Sequence, residues 1–519
     1  MLISCGTGEN NKEKQVLKYN SATGITSLDP AFARTQENIR AVNQLFNGLL
    51  QLDSQLLPSP AIAKHWSISE DSKTYTFILR NDVLFHNDPI FKGLERVVTA
   101  HDFEYSFNRI VDPKTASDGA WIFNGIIAYN EPFVAINDTT FSIKLNKPFA
   151  PLLSMLTMAY CYVVPHEAVS AYGTSFGKHP VGTGPFQFAN WADGIKLNFV
   201  KNTNYFEATE DYPIPFIDAI SISFIQSKQT ELLEFTQEKL DVFTGLESSF
   251  KDEILTSEGE LTEKYTNRFV LQKSPFLNTE YLAFNVEDRS SPVYDLNFRK
   301  AIHHAIDRES MVLYLRNSVG IAADGGFAPR GLPFFYSADS SPYNPDLART
   351  YLTKSTIQQV SPLILTTTPN YLDLCILVQK NCADIGIAVK VDVVPSSLLK
   401  QQKSAGELAF FRSSWIADYP DNENYMACFY GNNKAPNGPN YTRLVSEEFD
   451  KIYEELLAAT TVLEKAKLNQ KLESILAQDQ PFTPLFYDES LWIRNEKIKG
   501  MRVNALNHLD LRYVQIVND

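Results

Sequence analysis

Through the first third of the chain, apolar and polar positions alternate with a period of two between clusters of turn residues. In "KTYTFILR", residues 73–80, Tyr75, Phe77 and Leu79 fall on one face and Thr74, Thr76 and Ile78 on the other, which predicts a half-buried strand. "TTFSIKL", residues 139–145, repeats the pattern. Between them the period lengthens. "TAHDFEYSFNRIVDP" brings Phe103, Phe107 and Ile110 to one helical face, with Thr99 as N-cap, Asp102 placed as in a capping box, and Pro113 as the stop.

Further along, the two periods keep alternating. A charged helix over residues 228–239 leads into a strand at "LDVFTGL", and "TEYLAFNV", residues 279–286, reads as a buried strand. A helix over residues 295–312 turns Phe298, Ile302, Ala305 and Ile306 inward. From 446 to 478, Phe449, Ile452, Leu456, Leu463, Leu468 and Leu472 recur at helical spacing, as two helices meeting near Thr460 and Thr461. Interleaved strands and helices predict an α/β fold with mixed sheets. In "HPVGTGPFQFANW" the Gly182-x-Gly184 pair lacks a third glycine and a following helix, so it predicts a tight turn feeding a strand and not a phosphate loop.

At 519 residues the chain exceeds what one core can fill, so two to four domains are expected. A formal net charge of −14, with lysines and arginines scattered, speaks against nucleic acid and anionic membranes as partners. The longest apolar stretch, residues 151–165, is shorter than the roughly 20 residues of a spanning helix. Of the five cysteines, Cys375 and Cys382 fall two turns apart on one helix, about 10 Å along its axis, too far for a disulfide. Cys5 closes "LISC", which resembles a bacterial lipobox. No charged or apolar leader precedes it, so a trimmed start is expected, with residues 1–14 as a flexible tether.

Catalytic and metal motifs are missing. Adjacent His303 and His304 point about 100° apart on a helix and cannot share a small ion. Asp418, Asp421 and Glu423 lack the alternating oxygen spacing of a calcium loop. There is no GxSxG elbow and no SxxK, and a separated carboxylate pair, as in glycosidases, leaves no motif to read. No metal and no cofactor is expected. One segment stands out: "ELAFFRSSWIADYPDNENYMACFYG" carries an apolar run to a tryptophan and then a lone carboxylate, Asp418, six residues after Arg412.

Several stretches together, in order, resemble the bacterial oligopeptide- and dipeptide-binding proteins of ABC importers, family 5 of the extracytoplasmic solute-binding proteins. They are "ITSLDPAFARTQENIRAVNQLFNGLLQLD", "PAIAKHWSISEDSKTYTFILRNDVLFHNDPIF", "VTAHDFEYSFNRIVDP", "VGTGPFQFANW", "YLAFNV", "NFRKAIHHAIDRE", "SWIADYPDNENYM" and "PFTPLFYDESLWI". The resemblance spans about residues 15–515. It implies a two-lobed, periplasmic-binding-protein-like fold that closes on its ligand like a hinged trap. Lobe I would comprise 15–50, 178–275 and 483–519, an inserted subdomain 51–177, and the other lobe 276–482. It implies a monomeric, non-enzymatic binder outside the cytoplasmic membrane, anchored through lipidated Cys5, delivering peptides to permease subunits.

The resemblance also assigns the site. Trp415-Ile416-Ala417-Asp418-Tyr419 matches the family's W-x-x-D-Y pattern, which implies that Asp418 pairs with the ligand's α-amino group. Arg412 stands where some members place an arginine three residues before the tryptophan, implying a partner for the ligand carboxylate; an ordinary inter-strand ion pair is the alternative. Phe32, Ala33 and Arg34, after the L-D-P turn, and the strand into Asp418 would hydrogen-bond the peptide backbone. Arg34 replaces an acid found in some oligopeptide binders, which suggests a short or acidic peptide. An oligosaccharide or another small solute on the same fold, and a hydrolase, are the competing readings. Few histidines near the motifs argue against a metal ligand.

Overall fold

Two long antiparallel strands, Phe269–Phe284 and Phe482–Asn495, form the spine of a mixed seven-stranded sheet. In this computed structural model residues 14–246, 251–323, 325–333, 335, 342–357 and 361–517 are described, so Cys5 and all of the tether before Lys14 lie outside the described residues. The sheet runs Val242–Thr244, Phe482–Asn495, Phe269–Phe284, Phe410–Ile416, Leu363–Thr367, Val389–Val393, with the short Ile321–Ala322 beside the second strand. The last three strands are mutually parallel and the rest antiparallel.

The register of the spine shifts between Pro275 and Thr279. Before the shift, Phe269–Pro275 pair with Asn495–Glu489, beside a core of Phe235, Phe243 and Ile493; after it, Thr279–Ala283 pair with Tyr487–Phe482. The partners and the surrounding core of both strands therefore change at this irregularity.

Beyond the shift the sheet is buried on both faces, which is why "YLAFNV" reads as continuously apolar. Tyr281, Ala283 and Phe411 face helices Glu447–Ala458 and Val462–Asp479; Leu282, Phe284 and Phe410 face helices Leu296–Ala305 and Leu372–Ala383. The expected break at Thr460 and Thr461 is present, with Thr461 capping the second helix. Cys375 and Cys382 are buried free thiols. The helix expected over 295–312 stops at Ala305 instead. Asp307 accepts the Ser310 amide and starts a fresh turn that continues as a π-turn over Met311–Leu315.

The first lobe carries a sheet of Val16–Asn20, Ala219–Ser223, Lys196–Lys201 and Phe186–Ala192. The inserted segment has its own sheet, in which Tyr75, Phe77 and Leu79 are buried against helix Ala100–Val111. The two sheets share one continuous core, so the inserted segment packs as an extension of the first-lobe sheet. The Asp102 carboxylate accepts the Thr99 amide at 2.8 Å, completing the expected capping box.

The Gly182-x-Gly184 turn is where this core closes. A Cβ on Gly182 would stand 1.9 Å from the Leu45 carbonyl oxygen, and one on Gly184 2.4 Å from the Leu45 carbonyl carbon. His86 locks the turn: Gly182 N–H donates to Nδ1 at 3.3 Å, and Nε2–H donates to the Gly184 carbonyl at 3.0 Å. That pattern requires the neutral imidazole, and burial pushes its pKa down to about 4.

Two outcomes follow for stability. Gly182→Ala forces backbone apart at the core seam and should lower unfolding free energy by about 3 kcal/mol in urea titration; an unchanged midpoint contradicts the packing. Because the unfolded chain protonates His86 first, its contribution is intact above about pH 6.5 and is lost as pH falls towards 4, by roughly 3 kcal/mol in all. A His86→Asn variant should lack that component of the acid slope.

Candidate functional site

Asp418 follows the strand Phe410–Ile416 at the face turned towards the first lobe and its extension. The segment after it is wired to itself. Asn424 Oδ1 accepts from Trp415 Nε1 at 3.0 Å, and the Asn424 side chain also hydrogen-bonds the Asp418 carboxylate. Asp421 caps helix Asn422–Met426, accepting the Glu423 amide at 3.0 Å, and pairs with Lys465 at 2.9 Å. The buried Glu423 carboxylate accepts the hydroxyls of Tyr419 and Tyr453; burial raises its pKa to about 6. Tyr425 donates to the Leu277 carbonyl at 2.7 Å, tying the helix to the spine. Asp421 and Glu423 thus each have donors of their own.

Asp418 differs from them. It is open to solvent yet sits in a recess, where loss of hydration raises its pKa, partly offset by Asn424. No cation among the described residues stands close enough to lower it. A carboxylate in that position is short of a positive partner.

Across the gap, Asp29 organises the other wall. Its carboxylate accepts the Ala31 amide at 3.0 Å and takes both Arg109 guanidinium nitrogens, Nη1 at 2.9 Å. This fixes the turn Pro30–Phe32, leaving Phe32 half-buried, Ala33 buried and Arg34 exposed. Ser117 Oγ donates to the Ala31 carbonyl at 2.7 Å, and Arg34 lies 3.7 Å from Asp118. Tyr160 stands among Arg34, Asp118 and Asp418; burial first, then the two carboxylates, pushes its hydroxyl up to about 12. Trp121 stacks on Tyr419 with ring centroids 6.5 Å apart and planes at 25°. Gly119 makes room for this wall, since a Cβ there would fall 2.5 Å from the Tyr160 ring. Asp118, Trp121 and Tyr160 carry no family motif, and only the fold brings them opposite Asp418.

The strand into Asp418 also has a free edge. Phe410–Ile416 pairs along its length with Asn278–Phe284, but on its other side only Phe410 and Phe411 meet Leu365 and Thr366. Beyond Phe411 no described residue pairs with that edge, the geometry an extended chain needs to add as a strand.

Arg412 is placed otherwise than expected. It is 6% exposed, ion-paired with Glu280 on the neighbouring strand, and covered by the Tyr371 ring, 3.1 Å from its centroid. The register explains this: Arg412 points to the same sheet face as Phe410 and sits opposite Leu282, with Glu280 diagonal to it. Its charge is paired inside the sheet, the inter-strand ion pair that stood as the alternative reading. Near Asp102, His166 and Glu167, where three ligand atoms converge, the Arg96 guanidinium bridges Asp102 at 2.6 Å and Glu167 at 2.9 Å and takes the place of a cation.

A profile of the bacterial extracellular solute-binding proteins, family 5, drawn from their middle region, matches residues 58–437. The chain belongs to this family. It is 24% identical over 541 residues to the dipeptide-binding protein DppE of Bacillus subtilis, covering 98% of this chain and 93% of that one. It is 26% identical over 539 residues to the oligopeptide-binding protein OppA of the same organism, covering 96% and 94%. The solved structure of HbpA2 from Haemophilus parasuis superposes with a TM-score of 0.86 at 22% identity, over 97% of this chain and 100% of that one, and so shares the fold. No described helix is long and apolar enough to cross a membrane.

The Arg412–Glu280 pair yields a direct check on the ion-pair reading. Removing one partner strands a buried charge, so Arg412→Met should cost about 3 to 5 kcal/mol of stability. The double variant with Glu280→Leu should recover most of it in a double-mutant cycle. A single variant that melts like the parent but loses ligand would restore Arg412 to the site.

Proposed function

We propose that this chain is the extracytoplasmic component of an ABC importer that binds short peptides in the interlobe cleft and hands them to permease subunits without a catalytic step. The observation that carries the reading is the Asp418 carboxylate: set in a recess, with no cation of the described residues beside it, and next to a strand edge that no described residue pairs. A free α-ammonium supplies the missing charge and three donors. The open edge of Arg412–Ile416 on one side and the fixed Phe32–Arg34 turn on the other supply backbone partners that do not depend on side-chain sequence. Trp415 is the anchored base of the recess, while Tyr419 and Trp121 wall it. The names of the two Bacillus relatives agree with this ligand class.

Within this reading Arg34 and Asp118 form a loose, exchangeable pair, able to receive either sign of side chain or the carboxylate of a short ligand. The protein would act as a monomer on the outer side of the cytoplasmic membrane, held there by lipid on Cys5. A sugar oligomer is the second reading, favoured by the aromatic walls at Trp121, Tyr160 and Tyr419.

Asp418→Asn separates the two. For peptides, calorimetry should show affinity reduced about 100-fold or more, consistent with a charged, hydrogen-bonded partner worth roughly 3 kcal/mol. Melting temperature should hold, and N-acetylated peptides should bind the parent as poorly. Retained affinity for the same ligand contradicts the amino-group role and favours the sugar.

A further inference from the structure

A cavity of about 660 Å³ opens at the C-terminal end of helix Gln36–Leu45, about 15 Å along its axis from the Phe32–Arg34 turn. Its walls come from residues 43–61, 157–162, 205–214 and 502–513, together with Pro185, and include neither that turn nor any part of the Asp418 segment. Its size and mixed lining are those of a small-molecule site. Arg512 forms the base and is saturated: it donates to the two Asp510 oxygens at 2.9 and 2.8 Å, to Gln51 Oε1 at 3.1 Å and to Glu207. Arg502 is in the opposite condition. It stands across a strand pair from Asp510, whose oxygens are already taken, and its guanidinium lies over the Tyr513 ring, 3.6 Å from the centroid. Arg502 is exposed, and its guanidinium has no hydrogen-bond acceptor among the described residues.

Three asparagines on the same cavity share one arrangement. Asn43 Oδ1 accepts the Tyr162 hydroxyl at 2.9 Å, Asn47 Oδ1 the Thr183 hydroxyl at 3.0 Å, and Asn504 Oδ1 the amides of Leu506 and His508 at 3.0 and 3.1 Å. Each oxygen is used, and each side-chain nitrogen is left without an acceptor among the described residues while staying accessible to solvent. These unspent N–H donors surround one unpaired positive charge. They call for a ligand rich in oxygen acceptors that carries a carboxylate. The charge balance limits it to one. Asp53, Glu207 and Asp510 line the cavity too, and His508 adds no charge, since burial and then Arg40 push its pKa down to about 4. A phosphate dianion would meet three carboxylates with one free guanidinium to offset them. Hydroxyl hydrogens, by contrast, find acceptors in those carboxylates, and the Tyr212 and Tyr513 rings offer faces to C–H groups. We propose that this cavity is a second binding site, for a sugar acid, with its carboxylate on the Arg502 fork and its hydroxyl and ring oxygens on the amide N–H groups of Asn43, Asn47 and Asn504. The site does not rest on the peptide reading.

The test is a calorimetric titration of D-glucuronate against the full chain, run without peptide so that the two readings fail separately. Saturable binding is expected with a dissociation constant on the order of 1 mM, the range open to about thirteen heavy atoms. Glucose, which lacks the carboxylate, and glucose 6-phosphate, which carries a dianion, should each bind at least tenfold more weakly. Arg502→Gln, at an exposed position, should melt like the parent and bring glucuronate down to the glucose level while leaving glucose unchanged. Asn43→Asp keeps the acceptor for Tyr162 and removes the free N–H pair, and should weaken glucuronate at least tenfold. Absence of saturation, or equal glucuronate binding by parent and Arg502→Gln, would overturn the site. Glucose or glucose 6-phosphate binding as tightly as glucuronate would overturn the ligand class.

Discussion

The molecule depends on one constraint: two neighbouring strands run through both lobes and change register together at Pro275–Thr279. A continuous pair of strands holds the lobes in line, and its pairing breaks locally at this point. Everything that meets in the cleft is delivered by elements rooted on opposite sides of this crossing. The Asp29 turn and its Arg109 clamp belong to one side, the Asn424-anchored Asp418 segment to the other. Rigid segments on a jointed spine suit a protein whose ligand completes contacts to both walls.

Within that frame the treatment of buried charge marks the site. Asp29 has Arg109, Glu280 has Arg412, Asp421 has Lys465, and Glu423 has two tyrosine hydroxyls. Each arrangement makes a desolvated carboxylate tolerable and in doing so stiffens a turn or sheet. Asp418 receives only an amide, and its raised pKa records the shortfall. Asp418 thus carries an unmet electrostatic demand between a strand edge that no described residue pairs and a stacked pair of aromatic rings.

Much of this was legible in the residue pattern where short-range physics decides. The period-two run at 73–80, the capping box at Thr99, the helix break at Thr461 and the turn at Gly182 all appear where the pattern put them. Asp307 ended a helix that apolar spacing alone would have continued, because a local cap competes with the ladder. What the pattern could not carry was partner choice over long separations. Arg412 reads equally well as a ligand contact or an ion pair, and only the pairing of its strand with Glu280's, 132 positions away, decides it. Asp118, Trp121 and Tyr160 were invisible for the same reason: their role exists only across the cleft.

The most direct test is native mass spectrometry of the protein as purified, followed by fragmentation of whatever it carries. A cleft that demands an ammonium should retain short peptides, seen as bound masses spaced by amino-acid residues and yielding free amino termini on fragmentation. A ladder spaced by hexose units, or a single bound species without an amine, would contradict the role assigned to Asp418.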